Sequence, residues 1–189
     1  MKYILLFIIS TYMLQPVKTN RQLFDDFHTI YAKHDFKKMN ELLADDFVGL
    51  DEKEAVSFTK PGYIGYMTDW NMVFDTKWNV ESVSEKGSLI KSIEYDTDIF
   101  NDYFYGGSKC RIEYTYTFEK DKIKSIQTKH APGTDELETV YDERFGKFYE
   151  WVSFNYPAKL KYCTKRDKQS AIETKKLLEA YLVFVNKKV

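Results

Sequence analysis

Two cysteines, three histidines and eight glycines among 189 residues deny several chemistries their raw material. With so few glycines, and with no Gly-x-Ser-x-Gly elbow, Walker loop or dinucleotide fingerprint, serine-hydrolase and nucleotide chemistry are disfavoured. His28 and His34 lie six residues apart rather than the four that would place two ligands on one helical face, and only His130 remains, so neither a metal site nor a cofactor is expected. Charge of one sign is lacking as well: 28 basic against 29 acidic residues leave a net charge of -1, without the lysine and arginine surplus that nucleic-acid binding requires. Nor is any apolar run long enough to span a bilayer. Tyr3 to Leu14 follows a short basic start and reads as a secretory signal within residues 1–20, which implies a secreted or periplasmic protein with no stable membrane insertion once the signal is removed. Gln15 to Asn20 offers no small-x-small cleavage pattern, so an uncleaved anchor stays open. In such a compartment Cys110 and Cys163 could pair, closing a loop of about 50 residues worth roughly 4 kcal/mol, although a small buried apolar role would suit Cys110 equally.

What the chain has in quantity is aromatic: 15 Tyr, 14 Phe and 3 Trp, or 17%. Coding bias accounts for most of that amount, since lysines far outnumber arginines as well. Position is more informative than amount. Leu23, Phe24, Phe27, Ile30 and Tyr31 recur at helical spacing over 21–34, Asp35 opens a second helix, and Thr59-Lys60-Pro61 starts a third. After Asp75 the period becomes two: a strand through Trp78 and Val80, a turn at Glu85-Lys86-Gly87, and a strand from Leu89 to Ile99. An aromatic loop follows over 101–107, then a strand from Cys110 to Glu119 and its hairpin partner over 122–129. Pro132-Gly133 marks a boundary. Asp135 with Glu138 predicts a capping box for a helix reaching about Tyr156-Pro157, and a last helix begins near Asp167. This order predicts an α+β domain with helices packed on a curved antiparallel sheet, the last two helices lying most simply over that sheet.

The stretch His34-Asp35-Phe36-Lys37-Lys38-Met39-Asn40-Glu41-Leu42-Leu43-Ala44-Asp45-Asp46-Phe47 and the element order around it resemble the nuclear transport factor 2-like superfamily, especially its SnoaL-like members. The resemblance covers residues 21–130 and implies a cone-shaped, cystatin-like sheet with a deep pocket; residues 131–189 would be a helical extension packed on the same unit. The family's usual homodimer through the sheet face stays open, because that extension could cover the face. By analogy with its steroid isomerases, the catalytic positions would hold His28, Asp51 and Tyr114, with Asp51 as general base.

Independently of that analogy, the inward alternation of large aromatics points to a pocket lined by Trp70, Trp78, Tyr95, Tyr114 and Tyr116. The leading expectation is an exported, non-catalytic binder of a small apolar molecule. Its alternatives are a cofactor-free isomerase or dehydratase acting through Asp51, and an interaction protein whose pocket is filled by its own side chains.

Overall fold

A computed structural model describes residues 18–52 and 55–187. The expected signal segment, except its last three residues, lies outside them. Helix α1 (Asn20–Ala32) begins at a capping box in which the Thr19 side chain accepts from Gln22 N (3.2 Å) and Gln22 Oε1 accepts from Thr19 N (2.9 Å). Its Leu23, Phe24, Phe27 and Tyr31 share one buried face. Asp35 caps α2 (Phe36–Leu42). Strand β1 (Leu43–Asp51) pairs with β2 (Val56–Thr59), an edge strand with no counterpart in the sequence reading. The third helix starts after Thr59 as expected, but runs as α3 (Lys60–Tyr66), a π-helical turn (Met67–Asn71) and a short α4 (Met72–Phe74).

Strands β3 (Lys77–Lys86), β4 (Leu89–Thr97), β5 (Ile112–Glu119) and β6 (Lys122–His130) complete one six-stranded open sheet in the order β2-β1-β6-β5-β4-β3. All neighbours are antiparallel except β1 and β6, which run parallel. Register shifts at Val80/Ser82 and Thr117/Phe118 bend the strands, and the sheet curves around the N-terminal helices. The core between them is dense: Phe27, Met39, Leu43, Tyr116 and Ile123 are fully buried.

Two local expectations change. The aromatic segment after β4 is not a loop at its start but a helix, α5 (Ile99–Phe104), because Asp98 Oδ1 accepts from both Phe100 N and Asn101 N at 2.8 Å. The capping box at Asp135 does not form. Thr134 is the N-cap of α6 (Asp135–Asn155), its hydroxyl donates to Arg111 O (2.8 Å), and Glu138 Oε1 approaches His130 Nδ1 (2.9 Å) instead of the helix start.

After α6 come a 3₁₀ turn (Pro157–Tyr162) and α7 (Lys168–Asn186). They do not lie over the sheet. Trp70, Phe74, Phe100 and Phe104 offer an apolar surface beyond the end of the cone, and Phe148, Val152, Leu178 and Tyr181 close on it as a second core. The outer face of the sheet keeps ion pairs instead, with Glu113 between Lys91 (3.2 Å) and Lys129 (3.3 Å). Cys110 and Cys163 form no disulfide, and burial pushes the Cys163 thiol up to about 11. Phe148 is wholly buried between the helices of the extension and the cone's own Phe104, so Phe148→Ala should cost about 3 to 5 kcal/mol in urea denaturation. Near- and far-ultraviolet dichroism should report the same single transition, because the second core is built on Trp70, Phe74, Phe100 and Phe104 and Tyr66 packs against both cores.

Candidate active site in the cone

Strand β4 supplies the chemistry. Its alternation sends Ser92 and Glu94 into the concave side, both buried, and the same period carries Asp96 and then Asp98 inward. The two outer acids of this row are saturated. Asp98 caps α5 and accepts from Thr76 Oγ1 (2.6 Å) and Asn101 Nδ2 (2.7 Å). Glu94, fully buried, accepts from Tyr116 Oη (3.0 Å) and from the Ser92 hydroxyl, and its second oxygen lies 3.2 Å from His28 Nε2. His28 Nδ1 is 3.0 Å from Phe24 O. A carbonyl only accepts, so His28 Nδ1 donates to Phe24 O and the ring is held with Nε2 facing Glu94.

The side chain of Asp96, between these two, makes no hydrogen bond among the described residues. Burial first, and then the neighbouring Asp98 and Glu94, raise its carboxyl to about 7. It lines a cavity of about 460 Å³ between sheet and helices. The walls come from separate elements: Gly49 and Asp51 from β1, Tyr63 and Tyr66 from α3, Trp78 from β3, Tyr114 from β5. A side chain at Gly49 would meet Tyr63 Cδ2 at 3.2 Å, so glycine there lets the Tyr63 ring lie against the strand. Tyr63 Oη and Trp78 Nε1 are shut off from solvent without a hydrogen-bond partner. Burial also raises the Tyr63 and Tyr114 phenols well above their usual range, which keeps both as neutral donors.

A second cavity of about 430 Å³ adjoins the first, sharing Asp51, Tyr66, Asn71, Asp96, Tyr114 and Arg166. Its far wall belongs to the C-terminal extension, through Glu138, Tyr141 and Asp142. Arg166 stands with its guanidinium 4.3 Å from the centre of the Trp70 ring. Of the residues expected from sequence, Asp51, Trp78 and Tyr114 line the first cavity, while Trp70 and Tyr95 border the second. Tyr95 falls between Glu94 and Asp96 in the alternation, and its ring lies 4.3 Å from Lys109 Nζ. His28 and Tyr116 line neither cavity; both are taken up by Glu94. Asp96, Tyr63, Tyr66, Asn71 and Arg166 were missed, and for Asp96 the signal was present: Ser92, Glu94, Asp96 and Asp98 at spacing two in a strand whose face was not assigned.

His130, Asp135 and Glu138 bring three potential ligand atoms within 4.8 Å of one another at the start of α6, but Asp135 is 91% exposed and the imidazole is already paired with Glu138. An acid whose folded pKa is raised favours the native state in its protonated form. Asp96 therefore withdraws stability as pH rises from about 4, where the unfolded carboxyl ionises, to about 7, where the folded one does. Asp96→Asn should accordingly match the parent protein near pH 4 and exceed it by a few kcal/mol above about pH 7.5, a difference read from urea midpoints across pH.

No family profile and no curated protein matches the chain. Solved structures do. A protein assigned as a SnoaL-like polyketide cyclase from Shewanella putrefaciens aligns at 12% identity over 68% of this chain and 86% of that one, with a TM-score of 0.52. A cystatin-fold protein from Novosphingobium aromaticivorans aligns at 13% identity over 60% and 99%, with a TM-score of 0.51. A nuclear transport factor 2-like protein of unknown function from Cytophaga hutchinsonii aligns at 17% identity over 62% and 96%, at 0.49. Identities this low speak for fold alone. With its helices, open curved sheet and the cavity between them, the chain has the nuclear transport factor 2-like fold, in the form shared by SnoaL-like and cystatin-fold proteins.

Proposed function

We propose that the protein is an exported binding protein whose cone takes up a small, mainly apolar molecule bearing an oxygen acceptor. The observation that carries this reading is the pair of orphan donors, Tyr63 Oη and Trp78 Nε1, on residues of a cavity wall that also holds Phe58, Tyr66 and Tyr114, with Asp51, Asp96 and Arg166 as its charged members. A buried donor without a partner costs about 1 to 3 kcal/mol, and a ligand oxygen reached by a small side-chain shift would recover much of that. A cavity of about 460 Å³ is also the reverse of a pocket filled from within. Export rests on residues 1–20 alone, and sequencing the N-terminus of protein recovered outside the cytoplasm would check it.

The binding test uses a matched pair of probes, 1-acetonaphthone and 1-ethylnaphthalene, of similar shape with and without a carbonyl. By calorimetry the ketone should bind about tenfold more tightly, and Tyr63→Phe with Trp78→Phe should abolish that preference while leaving ethylnaphthalene binding in place. Equal affinity of the two probes for the parent protein would remove the support for an acceptor site.

Asp96 favours a second reading, cofactor-free proton transfer on the bound molecule. A carboxyl near 7 at the cavity wall is half ionised at neutral pH and can take a proton from carbon or return it, with the orphan donors holding the oxygen that becomes negative. This moves the general base from Asp51 to Asp96, although both line the cavity. Exchange of the methyl protons of 1-acetonaphthone into deuterated water, followed by NMR, should be protein-dependent and rise with pH through about 7. It should vanish in Asp96→Asn. Exchange that survives there and disappears in Asp51→Asn would return the role to Asp51.

A further inference from the structure

The net charge of -1 conceals a division. Residues 157–189 hold nine lysines and arginines against three acids, a surplus of six, so the first 156 residues carry an excess of seven acids. In the structure this basic segment is the 3₁₀ turn and α7, and Lys161, Lys165, Lys168 and Lys187 are exposed and in no ion pair among the described residues. Next to it lies an apolar surface that the fold does not cover. Phe154, one turn beyond Trp151 on α6, is 88% exposed, and Tyr156 and Phe184 are 40% and 37% exposed. The Trp151 ring joins them, 5.3 Å from that of Tyr156 and 5.8 Å from that of Phe184.

We propose that this face of the C-terminal helices rests on an anionic lipid surface, with the aromatic side chains at headgroup level and the lysines against the lipid phosphates. Aromatic rings with one apolar body and lysines on long stems are the side chains that suit such a boundary. A second copy docking through the same face fits poorly, because it would set one basic surface against another. A nucleic acid fits poorly as well: Arg166, the arginine of the segment, is stacked on Trp70, which leaves lysines to supply point charges without forked guanidinium contacts. A lipid surface asks for no more than point charges near its plane. The acidic remainder of the chain, α6 included, is repelled by the same surface, which orients the molecule with the 3₁₀ turn and α7 downward. This contact is peripheral, and no described helix is long and apolar enough to cross a membrane.

Tryptophan positions make the test specific in the full chain. Trp70 is 4% exposed and Trp78 is packed among Phe27, His28 and Tyr31, so Trp151 is the tryptophan at the proposed contact, and the apolar run at residues 3–14 has none. Vesicles of three parts phosphatidylcholine, brominated on its acyl chains, to one part phosphatidylglycerol should quench part of the emission. Trp151→Phe should remove that quenching, and Lys161→Glu with Lys165→Glu should weaken vesicle binding by about tenfold or more. The proposal falls if anionic vesicles do not quench, if quenching persists in Trp151→Phe, or if purely zwitterionic vesicles quench equally. It falls too if sedimentation shows a dimer that Phe154→Ser dissolves while vesicles leave the emission unchanged.

Discussion

Three carboxyl groups on one face of one strand are the constraint around which this molecule is arranged. Glu94, Asp96 and Asp98 point in turn into the concave side of the sheet, where each charge is poorly solvated and repels the next. The fold resolves two of them by hydrogen bonding. Glu94 ties α1 to the sheet through His28 and Tyr116, so the first helix is held by a polar pair as well as by its apolar face. Asp98 starts α5 and holds Thr76 at the approach to β3, which fixes the rim where the C-terminal helices dock. Asp96 has no such partner, and burial together with the neighbouring Asp98 and Glu94 holds its proton on toward neutrality.

The cone and its helical extension are two cores with a common wall. Tyr66 packs against both clusters, and the second cavity is closed by residues from both, with Arg166 reaching back to Trp70. The extension is thus part of the enclosure around the acid row as well as a structural buttress. It also leaves the outer face of the sheet to solvent, and ion pairs such as that of Glu113 with Lys91 and Lys129 suit that exposure.

Much of the architecture could be read from spacing. The periodicities at 21–34, 110–119 and 122–129 are strong, local and uninterrupted, and each became the expected element to within a few residues. What escaped depended on contacts across the chain. The edge strand β2 is four residues long and owes its existence to β1. The helix α5 hid behind aromatic composition, because the decisive residue was the preceding Asp98 rather than anything within it. At the site, Trp78 and Tyr114 came from alternation, which local pattern encodes, whereas Asp51 came from the resemblance to the steroid isomerases. His28 was legible as a helix residue but not as Glu94's partner, 66 positions away. Arg166 comes from a connection whose docking position has no local signature.

The π-helical turn at Met67–Asn71 has a consequence for how such a molecule could be assembled. Admitting one extra residue into a helical turn rotates everything downstream by about a quarter of a circle without breaking the rod. Tyr63 before the turn and Met67 at its start belong to the core under the sheet; Trp70 near its end and Phe74 after it belong to the core under the C-terminal helices. A regular helix would keep presenting its apolar stripe to a single neighbour. A one-residue insertion is thus enough to turn the trailing end of an ordinary cone helix into a docking edge, on which an added pair of helices could first gain a hold.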